Sequence, residues 1–357
     1  MSKTALAHIE KWLTTIWYRK QAVPLWAATF LKPLRWLYQA IRLLSNQEKK
    51  CRHSKQPLMH KPYVLVIGNV VAGGTGKTPI VMAVCQHLRT KGVRVGILSR
   101  GYGRHNTEIA VFHAQQQKIN SLESGDEPAF LAQQTQCPVA VGQDRLQALE
   151  ALIQHTPTLD LIVSDDGLQH HRLPRHFEWV VFDDRAAGNG QLLPEGPLRE
   201  PLLRIQHVDA VIANNISIEQ LACQLNTPAE PHWHPICINL SGFRRVSDGH
   251  HLTIEQAKAH WANQEIASFA GLGNPEKLFQ ALRKNGFHCT QTIGLPDHFN
   301  YPPHYEMQFS EDILITTGKD AVKLDVSNSK LWIAEIQVHL PTALTHSLEN
   351  SLGLTTD

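Results

Sequence analysis

The 357 residues, 42% of them hydrophobic and 18% charged, suffice for two separate cores and exclude a disordered tail or a peptide-sized scaffold. The net charge of +2 is unevenly placed: residues 1–61 hold twelve Lys and Arg against Glu10 and Glu48, so that segment is strongly basic and the remainder slightly acidic. Six scattered cysteines (Cys51, Cys85, Cys137, Cys223, Cys237, Cys289) form no CxxC pair, which fits reduced thiols and a cytosolic setting. His232, His234 and Cys237 have metal-like local spacing, but with no fourth ligand close in sequence they read as surface residues.

No apolar run reaches the length of about 18 residues that a spanning helix needs, and the start lacks the uninterrupted apolar core of a signal peptide. Leu6, Ile9, Trp12, Leu13, Ile16 and Trp17 recur in steps of three and four, as do Trp26, Phe30, Leu34, Leu37, Ile41 and Leu44, so each set lies on one helix face. Arg35, Gln39 and Arg42 fall opposite the second set. Core packing is the usual fate of such faces. Here Trp12, Trp17, Trp26 and Trp36 join a strong basic excess, the composition of helices lying in a lipid headgroup layer. No nucleic-acid-binding motif accompanies the basic residues, and no nucleic-acid partner is expected.

Tyr63 to Val70 is a β-branched apolar run suited to a buried strand, Val71 to Gly76 is a turn, and Thr78 to Lys91 reads as a helix closing at Gly92. Strand, glycine turn and helix in that order make a phosphate cradle. Gly73, Gly74, Thr75 and Gly76 supply converging backbone N–H groups, Lys77 reaches the terminal phosphates, and the Thr78 hydroxyl suits Mg²⁺. The loop departs from the usual pattern at Val71, where a glycine is expected, so its entry must turn differently.

"LDLIVSDDGLQHHRL" supplies a second strand that ends in Asp165 and Asp166, where a parallel sheet gathers its ligands. "RVGILSRGYGR", "PVAVG", "WVVFDD" and "VDAVIANN" add further strands, separated by helical stretches. The class is α/β: a P-loop NTPase-like, mostly parallel sheet with helices on both faces. After "GFRRVSDGHHLT" the pattern restarts with "IASFAGL", a helical "NPEKLFQALRKNG", "HCTQTIGL", "DILITT" and "LWIAEIQVHL", which predicts a smaller C-terminal α/β lobe from about residue 245.

Three polar loops remain: "SGDEP" with Asp126 and Glu127, "GNGQLLPEGPLREP" with Arg199 and Glu200, and "LPDHFNY" with Asp297 and His298. Each alone reads as a solvated turn. Beside a P-loop they offer what phosphoryl transfer to an alcohol needs: a base, carboxylates for metal and cations for the transferring charge.

"GNVVAGGTGKTP", "SRGYGR", "GDEP", "VGQDR", "DDGLQHHRL", "GPLREP", "GLGNPEKLF" and "LPDHFNY", in this order, closely resemble the tetraacyldisaccharide 4′-kinases, the lipid A 4′-kinases of Gram-negative bacteria. The resemblance spans nearly the whole chain. It implies an enzyme that transfers the γ-phosphate of ATP to the 4′-hydroxyl of an acylated disaccharide 1-phosphate lipid, with ATP and Mg²⁺. The expected setting is the cytoplasmic face of the inner membrane, with anionic lipid at the surface and no obligate protein partner.

Carried over motif by motif, the resemblance implies that Asp126 is the base on the sugar hydroxyl with His298 paired to it, and that Lys77 holds the β- and γ-phosphates. Thr78, Asp166 and Glu200 would serve Mg²⁺ with Asp165 beside them, Gln169 and His170 lie close by, and Arg100 and Arg145 meet substrate phosphate or transition-state charge. "TTGKDAVKL" carries Gly318 where the resemblance leads one to expect Glu, so Lys319 and Asp320 receive no role beyond a loop contact. The resulting division is basic amphipathic helices over 1–50, a P-loop kinase domain over 51–244 and the smaller lobe over 245–357. His298 and Asp126 then sit on different lobes, so closure would assemble the site.

Rival readings are weaker. A membrane-tethered ATPase switch related to partition and septum-site ATPases carries a signature lysine where this chain has Ala72. No NKxD-type guanine motif favours a GTPase, and a soluble sugar or nucleoside kinase would not need the amino-terminal helices.

Overall fold

The computed structural model describes residues 12–18, 25–50, 62–101, 104, 106–113, 121–297, 299–324 and 327–354. The first sheet contains β1 (Tyr63–Gly68), β2 (Val95–Ser99), β3 (Ala110–Phe112), β4 (Val139–Val141), β5 (Leu161–Asp165), β6 (Phe177–Phe182), β7 (Ala210–Asn214) and β8 (Trp233–Ile236). Their order is β3-β4-β2-β5-β1-β6-β7-β8, parallel throughout except that β3 runs antiparallel to β4. The central strands are apolar along their length because helices cover both faces. Helices Lys77–Thr90 and Asp126–Thr135 bury Ile80, Val81, Leu88, Leu131 and Ala132 on one face, and Arg145–His155 and Ile218–Leu225 bury Leu149, Leu152, Leu221 and Leu225 on the other.

The second sheet contains β9 (Ile238–Arg245), β10 (His251–Thr253), β11 (Ile266–Ala270), β12 (Gln291–Gly294), β13 (Ile313–Thr317) and β14 (Leu331–Val338), in the order β10-β9-β14-β13-β11-β12. β9 is antiparallel to β10 and β14, and the other pairs are parallel. Phe243 anchors this lobe, with the rings of Trp261 and Phe287 set edge-on to it at 4.7 and 4.9 Å. Residue 245, where the sequence pattern restarts, is thus the end of β9, and the second sheet begins at Ile238. Helix Thr342–Ser351 returns to the first lobe, where Leu344, Leu348 and Leu352 join its core and Glu349 meets His87 at 2.5 Å. The chain therefore crosses between lobes twice, at Cys237 and over residues 339–341.

The helix Leu25–Lys50 is turned opposite to an ordinary surface helix. Its polar side meets the protein: Arg35 bonds Gln191 and lies 3.1 Å from Glu195, and Tyr38 Oη donates to the Arg199 carbonyl at 2.9 Å. Its apolar side faces outward, with Phe30 73%, Trp36 61%, Leu37 57% and Ile41 57% exposed. Among the tryptophans expected at a lipid surface, Trp17 is instead buried, its indole donating to the Pro194 carbonyl at 2.9 Å. Trp12 is exposed, and Leu6, Ile9 and the Trp26 side chain lie outside what is described. No described helix is long and apolar enough to cross a membrane.

Candidate active site

Parallel strands deliver their following residues to one edge of a sheet, and here six strands do so. β1 leads into the phosphate loop, β2 into Arg100, β4 into Arg145, β5 ends in Asp165, β6 leads into Asp183, and β7 ends at Asn214. Most of these residues line a cleft of about 2840 Å³ whose other wall comes from the second lobe.

The entry to the phosphate loop explains Val71. Val71 pairs as an antiparallel bridge with Leu198, Ala72 N–H donates to the Pro197 carbonyl at 2.7 Å, and Arg199 N–H to the Val70 carbonyl at 2.7 Å. The same pairing brings Arg199 and Glu200 to the loop. Gly73 (φ 97°) and Gly76 (φ 88°) take left-handed conformations, and a Cβ on Gly76 would collide with the Asn214 side chain. Helix Lys77–Thr90 then begins with its free N–H end at the cleft, and Lys77 and Thr78 line that cleft.

Lys77 Nζ lies 3.4 Å from Asp166 Oδ1, and Arg199 Nη1 lies 3.3 Å from Asp166 Oδ2. Burial alone would raise the Asp166 carboxyl, but Lys77 and Arg199 outweigh it and pull the pKa down to about 2. Its neighbour behaves oppositely: burial, then the charges of Glu127 and Asp166, push Asp165 up to about 7 against Lys77 and Arg145. Asp165 is 4% exposed and its Oδ1 meets no hydrogen-bond donor among the described residues. A buried acceptor without a donor, next to an ionised carboxylate in the cleft that Thr78 also lines, fits a divalent cation.

Glu200 stands one amide further off. Gln169 Nε2 donates to Glu200 Oε1 at 3.0 Å, Arg199 Nη1 donates to Gln169 Oε1 at 3.3 Å, and Arg204 approaches Glu200 Oε2 at 3.6 Å. Among the described residues no three His, Cys, Asp or Glu side chains converge as a metal cage, at this site or around His232, His234 and Cys237. Mg²⁺ keeps waters and substrate oxygens, so one or two carboxylates suffice for it.

Arg145 opens helix Arg145–His155, whose start is fixed by Asp144 accepting from the Leu146 and Gln147 N–H groups. It is 2% exposed, donates to the Gly142 carbonyl at 2.6 Å, and leaves Nε and Nη2 without described partners. Burial lowers its pKa to about 10, so it stays cationic. Burial, with Arg145 and Arg100 nearby, lowers His170 to about 4 and keeps the imidazole neutral.

On the far wall the second lobe brings lysines. Lys323 Nζ lies 2.6 Å from Asp126 Oδ2, and Lys319 Nζ bridges Glu127 Oε1 at 3.1 Å and Asp297 Oδ1 at 3.0 Å. Burial would lower the Lys319 pKa, but the two carboxylates raise it above its ordinary value. Lys319 and Asp320 thus do more than touch a loop. Asp320 is fully buried and accepts from the Gly271 N–H at 3.0 Å and the Thr317 hydroxyl at 2.7 Å. Gly318 packs under the Phe130 ring, which a Cβ would strike. The expected pairing of Asp126 with His298 lies outside the described residues.

Comparisons with known proteins identify the family of the chain. A family model described as tetraacyldisaccharide-1-P 4′-kinase matches residues 27–353. The tetraacyldisaccharide 4′-kinase of Dechloromonas aromatica is 38% identical over 341 residues, 94% of this chain and 96% of that one. That of Bordetella petrii is 37% identical over 318 residues, 88% of each. The crystal structure of LpxK from Aquifex aeolicus in complex with ATP has the same fold, with a TM-score of 0.70 at 24% identity over 90% of this chain and 97% of that chain. The chain belongs to the tetraacyldisaccharide-1-P 4′-kinase family.

Proposed function

We propose that this chain transfers the γ-phosphate of ATP to the 4′-hydroxyl of a tetraacyldisaccharide 1-phosphate, with Asp126 accepting the hydroxyl proton. The observation that carries the reading is the Lys77–Asp166 pair, which joins the phosphate loop to the acidic end of β5 in a cleft shared by both lobes. Lys77 holds the β- and γ-phosphate oxygens, and the loop's N–H groups cradle them. Arg100 and Arg145 face the charge that spreads over the transferring group; the guanidinium of Arg145, buried with two nitrogens open, needs no reorganisation to do so. Asp126 opens helix Asp126–Thr135, where the positive helix end favours its carboxylate, and Lys323 pairs with that carboxylate and orients it. His298 shares this proton as the partner of Asp126. Thr78 and Asp166, with Asp165 beside them and Glu200 behind Gln169, would hold Mg²⁺, which when bound neutralises charge on the phosphate oxygens.

The outward apolar face of helix Leu25–Lys50 suits a lipid surface, and the basic excess of the segment suits anionic headgroups. An acceptor with several acyl chains stays in the bilayer, since each methylene exposed to water costs about 0.8 kcal/mol. The enzyme therefore works as a peripheral protein on the cytoplasmic face of the inner membrane.

The test is transfer of label from γ-labelled ATP to a tetraacyl disaccharide 1-phosphate in detergent micelles, for the unaltered protein and for Asp126→Ala. Labelled lipid from the first and a loss of about a hundredfold or more from the second are expected. ATP hydrolysis without labelled lipid would instead favour a nucleotide-driven switch.

A further inference from the structure

Three consecutive carbonyls of the phosphate loop are each taken by a side chain from a different strand end. Asn69 Nδ2 donates to the Gly73 carbonyl at 3.0 Å, Arg185 Nη2 to the Gly74 carbonyl at 2.7 Å, and Asn214 Nδ2 to the Thr75 carbonyl at 2.8 Å. In a trans peptide the N–H points opposite to the carbonyl. Holding these oxygens therefore turns the N–H groups of Gly74, Thr75 and Gly76 the other way, and among the described residues none of the three donates to a backbone carbonyl. A carbonyl flipped inward would set a partial negative charge against a phosphate.

Arg185 differs from the two asparagines in what stands behind it. Its guanidinium is paired with Asp183, Nε lying 3.0 Å from Oδ2, and it lies over the Tyr18 ring at 5.1 Å from the centroid. Asp183 is 1% exposed and its Oδ2 also receives Lys277 Nζ at 2.6 Å. Lys277 belongs to helix Glu276–Lys284 of the second lobe, and that helix follows a turn in which a Cβ on Gly273 would stand 3.8 Å from the Gly74 nitrogen. One buried carboxylate thus divides between a residue that touches the phosphate loop and a residue of the opposite lobe.

We propose that Arg185 is a positioning residue that holds the Gly74–Thr75 peptide in its phosphate-binding orientation, and that Asp183 makes this hold depend on Lys277 and hence on the second lobe. Loss of Lys277 releases Asp183 to draw the guanidinium away from Gly74, and loss of Arg185 frees the peptide to turn. The proposal rests on the kinase reading above, and ATP binding by the unaltered protein is measured first to keep the two apart. Absence of that binding sinks the reading itself.

Given binding, the experiment is titration of ATP against Arg185→Ala, Arg185→Lys, Lys277→Met and the Arg185→Ala/Lys277→Met double variant, with the KM for the lipid acceptor measured at saturating ATP. The expected result is an ATP Kd raised about ten- to hundredfold in Arg185→Ala, less in Arg185→Lys and Lys277→Met, with the acceptor KM unchanged. The double variant binds no more weakly than Arg185→Ala alone, since both losses act through one carboxylate. Guanidinium ion at tens of millimolar tightens ATP binding by Arg185→Ala, and sodium at equal ionic strength does not. Unchanged ATP affinity in Arg185→Ala, full additivity in the double variant, or no recovery with guanidinium would each overturn the proposal.

Discussion

Replacing Asp165 by Asn removes a titration that the fold has displaced. The carboxyl is 4% exposed, and burial together with Glu127 and Asp166 sets its pKa at about 7. In the unfolded chain an Asp titrates near about 3.9. Between about pH 4 and about 7 the folded protein therefore holds a proton that the unfolded chain has released. Because the unfolded state binds fewer protons there, stability falls as pH rises through that window and is flat on either side. About three pKa units at about 1.4 kcal/mol each put the whole fall near about 4 kcal/mol, an upper bound because relaxation around the charge reduces it. The Asp165→Asn protein lacks this slope. Between about pH 5 and about pH 8 it gains about 3 kcal/mol on the unaltered protein, a rise in thermal midpoint on the order of 10 °C for a lobe of this size. The assay is thermal unfolding of both proteins in a chelator, without nucleotide, across that pH range. Asp166 adds no slope across that range, because its depressed carboxyl contributes stability that is lost only as pH falls from about 4 toward about 2. A midpoint difference that does not change with pH would refute the assignment of the buried proton to Asp165.

Gly318→Ala drives a methyl into the Phe130 ring and is expected to lower stability by about 1–3 kcal/mol, with Phe130→Ala in the same chain recovering part of it; simple additivity of the two in urea unfolding counts against the contact. Lys319→Met leaves Glu127 and Asp297 without their shared cation; because both carboxylates are a third or more exposed, about 1–2 kcal/mol is expected in place of the larger cost of a dry pair, and added salt shrinks the difference. Changing Phe30, Leu37 and Ile41 together to Ser removes most of the outward apolar face, and co-sedimentation with anionic vesicles is expected to fall at least tenfold while ATP affinity in solution holds. Equal vesicle binding by that triple variant would mean that another surface meets the lipid.

The phosphate loop, the acid-ended strand and the parallel sheet were legible because each is written locally: β-branched runs, glycines at fixed offsets, and an apolar strand stopping at two aspartates. What was not legible depends on contacts across the chain. Asn69, Arg185 and Asn214 look like ordinary loop polar residues until the strand order places them around one turn. The start of the second sheet is hidden because β8 and β9 are separated by Cys237 alone, so an apolar run passes from one lobe to the other without a break in pattern. Trp17 and Trp36 both sit on amphipathic stretches, and it is the loop of residues 188–194, whose Asn189 N–H donates to the Trp17 carbonyl and whose Pro194 carbonyl accepts from the indole, that meets the first. "TTGKDAVKL" gave Lys319 and Lys323 no visible role, since their partners Glu127 and Asp126 lie nearly two hundred residues away.

Those partners follow a rule that bears on how the cleft works. Asp126, Glu127 and Asp183 of the first lobe face Lys323, Lys319 and Lys277 of the second, at 2.6, 3.1 and 2.6 Å. The acids flank the phosphate loop on the lobe that carries Lys77, Arg100 and Arg145, and the opposite wall answers them with cations. An apolar seam of the same extent would gain free energy from every area excluded from water, and would resist opening in proportion. Ion pairs at a cleft behave differently, because water takes back much of their energy when they separate. Two lobes joined, among the described residues, by two crossings of the chain would on the proposed closure part at small cost to admit a nucleotide and a lipid headgroup, and return to a register that the charges specify. The pair on Asp126, the proposed base, and the pair of Lys277 with Asp183 both span the two lobes, so a closure would set the acceptor side and the phosphate side of the cleft together.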